Sequence, residues 1–192
     1  MELKLIFGII AVALGLASFF PYVRDIFLKK TTPHIYSWLV WSILQTIGVI
    51  AMIGGNAGYG SFGLAMGGLV SVSVFLLSFK YGTKNITIFD TICLVGALIA
   101  VMVYFFQKDP LLAVILITVI DFIGFLPTYR KGYMEPQSET VTLYLLSAIS
   151  NAFALVAIID YSMTTVLYVG SLVITNGIIV AILLGRRILI KV

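Results

Sequence analysis

Seven apolar runs alternate with short polar breaks along the chain, at roughly 3–22, 35–54, 61–79, 86–106, 110–129, 140–159 and 164–185. Each has about the 20 residues that a helix needs to cross a hydrocarbon core of about 30 Å. Inside lipid the backbone must satisfy its own hydrogen bonds, so the runs predict helices. A barrel would need alternating segments of about ten residues, and the sequence has none. The breaks carry turn and polar chemistry, as in Lys29-Lys30-Thr31-Thr32-Pro33-His34, Gly54-Gly55-Asn56-Ala57-Gly58 and Gln107-Lys108-Asp109-Pro110. The expected fold is all-α and integral to the membrane, with seven transmembrane helices. In 192 residues these leave no room for a soluble domain.

Composition agrees. The chain is 61% hydrophobic and 10% charged, against about 45–50% and about 25% for soluble domains. Its formal net charge of +4 does not point to nucleic acid, because the cations sit at helix ends, where they set topology and meet anionic lipid. Lys4 and Lys108 fall on one side of the bilayer. Arg24, Lys29, Lys30, Lys80, Lys84, Arg130, Lys131, Arg186, Arg187 and Lys191 fall on the other. Cytoplasmic loops hold the excess of Lys and Arg, so the N-terminus is expected outside and the C-terminus in the cytoplasm, in a bacterial or archaeal plasma membrane. Met1-Glu2-Leu3-Lys4 leads into the first run without an A-x-A-like site, which reads as a first span and not a removed signal peptide. The single cysteine, Cys93, rules out an intrachain disulfide or a thiolate metal cluster.

The chain also repeats itself. Shifted by 106 residues, the segment 20–45 meets 126–151: Pro21 meets Pro127, Arg24 meets Arg130, Leu39 meets Leu145 and Ile43 meets Ile149. Each proline is followed eleven residues later by a hydroxyl, Thr32 or Ser138. Each copy holds three helices, an odd number, so an unmatched fourth helix is needed to restore direction. The expected layout is two parallel three-helix bundles joined by an inverter helix, with a first repeat at 1–82, a linker helix at 83–108 and a second repeat at 109–192. Duplications of this kind are common in transporters, with the site near the midplane between the halves.

Phe20-Pro21-Tyr22-Val23-Arg24, followed by Lys30-Thr31-Thr32 and Ser37-Trp38, resembles the PQ-loop and SWEET/SemiSWEET superfamily, and Leu126-Pro127-Thr128 with Ser138-Glu139 resembles its second copy. Thr175-Asn176-Gly177 looks like the Asn-Gly of SWEET pocket helices. The resemblance covers a little over a quarter of the chain. It implies the same SWEET-like 3+1+3 layout with the N-terminus outside, a pocket role for Asn176, and solutes such as sugars, or amino acids moved with protons. The chain departs from the pattern where Tyr22 and Thr128 replace the glutamine of the PQ dipeptide, and where helix 3 offers Ser73 in place of an asparagine.

Candidate chemistry centres on Asp121, near the middle of helix 5. A carboxylate at that depth costs about 2.5–3.5 kcal/mol on insertion scales and usually faces a cavity. It reads as a proton-coupling or cation-recognising group, or else as a buried acid paired for packing. Its repeat partner is Gly15. The amides Asn176, Asn151 and Gln45, with Ser73 and neighbouring hydroxyls, suit a polar solute, although amides also join helices. Trp41 could stack on a ligand ring, whereas Trp38 reads as an interfacial anchor. Pro21 and Pro127 interrupt the helix ladder and supply hinges, or simply end their helices. Asp90 and Asp160 read as interfacial, and His34 as a solvated loop residue.

The expected function is transport of a small polar solute, sugar- or amino-acid-like, by alternating access between the repeats, with Asp121 as the candidate for proton coupling. The alternative is a non-transporting seven-helix receptor or accessory protein that binds a small ligand or peptide. No paired-carboxylate, HExxH or nucleophile-elbow motif suggests an enzyme, and no cofactor or metal site is expected. Every lysine lies at a helix end or in a loop, which leaves none to hold a buried retinal. The expected partners are the solute and the lipid bilayer. One chain could hold a complete pathway as a monomer or within a homo-oligomer.

Overall fold

The computed structural model describes residues 2–82 and 87–190. Lys84 and Lys191, counted above on the cation-rich side, lie outside the described residues. So do the boundary expected at 83 and the side chains of Pro127 and Ser138.

Among the described residues every regular element is helical. The chain runs α1 (Glu2–Phe27), α2 (Ile35–Gly54), a 3₁₀ turn (Gly58–Gly60) into α3 (Ser61–Tyr81), α4 (Ile88–Met102) closed by a π turn (Val103–Gln107), α5 (Pro110–Met134), α6 (Val141–Ala157) and α7 (Met163–Ile190). Six of these segments, of 20 to 28 residues, are long and apolar enough to cross a membrane. The exception, α6, has 17 residues, about 26 Å at 1.5 Å per residue. It stops short of the expected 159 because Ile158 turns to an extended ψ of 131°.

Local chemistry accounts for the helix starts. Asp109 accepts from the Leu112 N–H at 2.9 Å, with Pro110 in the first turn of α5. Thr87 and Asp90 form a reciprocal capping box at α4. Asp90 therefore holds a helix start and is not merely an interfacial charge. His34 caps α2 by accepting from the Ser37 N–H and lies 3.8 Å from Asp90 Oδ2, so it is half-buried where the sequence suggested a solvated loop residue. Pro21 lies inside α1, which continues to Phe27, and α5 likewise passes through position 127 to Met134. Neither proline ends its helix.

α1 packs against α6 and α3, α2 against α3, α5 against α7 and α2, and α6 against α7, while α4 lies against α5 and α2. The core follows these contacts. Leu44, Leu64, Ile117 and Tyr168 centre one buried cluster, and Ile26, Trp38, Val74 and Ile179 a second. The outer surface is apolar: Phe20 is 71% exposed, Leu69 62% and Ile174 62%. Long apolar helices with such an exterior belong in a bilayer. Polar groups tie the helices inside: Ser150 Oγ donates to the Ala11 carbonyl at 2.7 Å, joining α6 to α1, and Tyr129 Oη donates to the Thr175 carbonyl at 3.0 Å, joining α5 to α7.

Candidate functional site: a polar chamber between the helices

Six helices surround a cavity of about 100 Å³, to which α4 contributes no wall. α1 supplies Gly15 and Ser18, α2 Trp38, Trp41 and Gln45, and α3 Gly67, Val70 and Ser71. α5 supplies Asp121 and Phe125, α6 Tyr144, Ser147, Ser150 and Asn151, and α7 Leu172 and Asn176. Asp121 is the only ionised-type side chain in the lining apart from the phenol of Tyr144. It is 1% exposed, and neither carboxylate oxygen has a hydrogen-bond partner among the described residues.

The amides share an orientation. Gln45 Nε2 donates to Ser71 Oγ, Asn151 Nδ2 to the Ser147 carbonyl and Asn176 Nδ2 to the Leu172 carbonyl, each at 2.8 Å. Ser18 and Ser150 likewise donate to backbone carbonyls, each at 2.7 Å. Gln45 Oε1 also lies against Gly67, where a β-carbon would collide with it. A glycine there lets the amide reach across α3.

An arc of aromatic rings bounds the chamber. Tyr22 packs on Trp38 with centroids 5.3 Å apart, Trp38 meets Trp41 at 5.1 Å, Trp41 meets Phe125 at 5.7 Å, and Phe125 meets Tyr129 at 5.6 Å. Beyond it lies a second cavity of about 390 Å³, which shares Trp38, Trp41, Leu143 and Tyr144 with the first and is bordered by Thr31, Thr32, His34, Thr87, Lys131 and Glu139. The wider cavity thus sits at the end of the molecule that carries the α1–α2 connection. Tyr144 Oη donates to Glu139 Oε2 at 2.9 Å, and Lys131 Nζ meets Glu139 Oε1 at 2.7 Å, fixing the ring at this boundary.

The other end is closed. The Ile159 and Asp160 N–H groups donate to the Ala57 and Asn56 carbonyls at 3.0 and 3.3 Å, and Lys4 Nζ donates to the Ile158 carbonyl at 2.6 Å. The 3₁₀ turn presses so closely on Ile158 that a β-carbon on Gly60 would stand 2.8 Å from its Cα and 2.9 Å from its backbone N. Asp160 is exposed at this end, as expected for an interfacial acid.

Asp121, Asn176, Asn151, Gln45 and Trp41 all line the chamber. Ser73 does not: it is exposed, and its hydroxyl donates to the Leu69 carbonyl. Two residues on a helix lie about 200° apart, so Ser71 takes the inward place instead. Pro21 lies three residues beyond Ser18 along α1 and lines neither cavity. Trp38 differs most from expectation. It is 7% exposed and packed between Tyr22 and Trp41, not set at the lipid interface. Because it shares a helix face with Trp41, the two turn inward together. Tyr144, Phe125 and Gly67 are further lining residues not anticipated. The repeat offered a signal for some of them, because five pairs of lining residues stand 106 apart: Gly15 and Asp121, Trp38 and Tyr144, Trp41 and Ser147, Gln45 and Asn151, Val70 and Asn176.

Comparison with family models, curated proteins and solved structures finds no match to this chain.

Proposed function

We propose that this chain is a membrane transporter that moves a small polar solute by alternating access between two parallel three-helix repeats, with α4 as the inverter helix. The observation that carries the reading is the chamber itself, a buried carboxylate and three amides at mid-helix depth, sealed at one end and separated from a wide cavity at the other by one layer of side chains. A carboxylate at bilayer depth is costly and marks a pathway for substrate or protons.

The duplication supports the layout. Exchanging α1 with α5, α2 with α6 and α3 with α7 maps the packing onto itself: α1 on α6 becomes α5 on α2, α1 on α3 becomes α5 on α7, and α2 on α3 becomes α6 on α7. The five pairs of lining residues 106 apart are what a two-fold axis through the chamber would produce. The PQ-loop and SWEET resemblance favours the same reading, with the N-terminus outside and the wide cavity facing the cytoplasm. Transport then needs the Trp38–Tyr144 wall to part as the Ala57–Ile159 contact holds, and the reverse, with Pro21 and Pro127 allowing their helices to flex and Asp121 carrying the coupling charge.

Counterflow in liposomes containing the pure chain tests this. Vesicles preloaded with each of a panel of sugars, amino acids and small organic cations should accumulate labelled solute for at least one of them. Absence of exchange with every member would favour the receptor reading.

A further inference from the structure

The chamber has more hydrogen-bond acceptors than donors. Each of the three amide nitrogens has one N–H, and two of the serine hydroxyls their proton, turned to protein acceptors. What remains toward the space is amide carbonyl oxygen, serine oxygen lone pairs and the two unpartnered oxygens of Asp121. The donors left over are the second N–H of each of the three amides, the Ser71 and Ser147 hydroxyls and the Trp41 indole N–H. No lysine or arginine lines the chamber.

A guest with a carboxylate would find no positive partner there, and a neutral sugar would leave the unpartnered Asp121 carboxylate without a counter-charge. A guest that carries donors and a positive charge would match the unpartnered Asp121 oxygens and the acceptors beside them. Ammonium and guanidinium groups donate from all their N–H bonds and accept none. The Trp38, Trp41 and Phe125 rings in the lining offer cation–π attraction. The chamber's volume of about 100 Å³, well below the roughly 300–1,000 Å³ of drug-sized sites, calls for a small guest.

We infer that the substrate class is a small organic cation bearing N–H donors, an alkylammonium or guanidinium ion, and that it exchanges one for one with a proton on Asp121. This rests on the transporter reading above and names what that site carries. With no cation in the chamber, the unpartnered carboxylate holds a proton. On loading, the Asp121 O–H bond breaks, the proton leaves to water in the wide cavity, and the carboxylate accepts the N–H donors of the cation. One positive charge replaces another, and the bare anion never persists at bilayer depth. The titratable groups facing Asp121 from the surrounding helices are Cys93 on α4, Tyr129 on α5, Tyr144 on α6 and Tyr168 on α7. α2 presents only tryptophans and Gln45, and α1 only Gly15 and Ser18, so none of them supplies a competing cation.

Calorimetric titration of the full chain in detergent with millimolar guanidinium, at constant ionic strength and in buffers of different ionisation heat, reads binding and proton release together. Release of about one proton per bound ion is expected, with apparent affinity falling about tenfold per pH unit of acidification where release occurs. Asp121→Asn should abolish the release and weaken binding about tenfold or more, and Asp121→Glu should keep both. If Asp121→Asn does not fold, the pH series on the unaltered chain still decides. Tetramethylammonium, which has no N–H, should bind more weakly than guanidinium. Equal binding of the two ions, or guanidinium binding without proton release, overturns the inference. Counterflow of a neutral sugar with no cation binding overturns it while leaving the transporter reading intact. Cation binding with proton release but no counterflow of any solute overturns the transporter reading alone.

Discussion

Trp38 meets Trp41 edge to face, with ring centroids 5.1 Å apart, and both rings stand in the wall between the two cavities. Trp38 is the more deeply set, also packed on Tyr22. Truncating a buried aromatic costs about 3–5 kcal/mol. Trp38→Ala should therefore lower the thermal midpoint strongly, whereas Trp38→Phe, which keeps most of the packed area, should lower it much less. A melt of both variants in the same detergent checks this. An interfacial anchor would show little change with either.

Asp121 has no hydrogen-bond partner to lose among the described residues. Asp121→Asn should leave the unfolding midpoint nearly unchanged, because a neutral amide replaces a protonated acid of the same size, while solute exchange in liposomes falls to background. Marked destabilisation together with intact exchange would make Asp121 a packing residue.

Ser150 donates to the Ala11 carbonyl across the α1–α6 contact. Interhelical hydrogen bonds in membranes average about 0.6 kcal/mol, so Ser150→Ala should cost about that much in reversible unfolding. Ser73→Ala, on the exposed face of α3, should stay within about 0.5 kcal/mol and leave ligand binding as it is.

Gly60 closes the far end against Ile158. A methyl there meets backbone and not a flexible side-chain tip, so Gly60→Ala should destabilise by about 1–3 kcal/mol and loosen the seal. Faster hydrogen exchange of the Ile159 amide, which now donates to the Ala57 carbonyl, reports the loosening.

The helices were legible because the apolar runs are long and their breaks carry strong signals. Asp109-Pro110, read as a break, starts α5, whereas the Thr87 cap of α4 falls inside the run expected to begin at 86. The short α6 was not, since Ile158 and Ile159 are as apolar as the helix they follow, and only their contacts with the 3₁₀ turn pull them out of it. In the chamber, polar residues inside apolar runs stood out on composition alone: Asp121, Asn151, Asn176 and Gln45 all line it. Ser73 against Ser71, and Trp38 inward against outward, depend on the rotation of a helix about its axis. α3 has small and apolar residues on every face, so its sequence does not fix that rotation. The 106-residue repeat held part of the missing information, because it relates Trp38 to Tyr144 and Val70 to Asn176, but only a shared cavity reveals that those pairs face each other.

Alternating access is tested most directly by asking from which side the chamber can be reached. In a Cys93→Ala background, Asn176→Cys places one thiol in the chamber wall, and a membrane-impermeant thiol reagent is applied to right-side-out and inverted vesicles in turn. The account predicts labelling from both sides, with each blocked by the transported solute. Labelling only from the side of the wide cavity, however long the exposure, would contradict it and leave a static pocket.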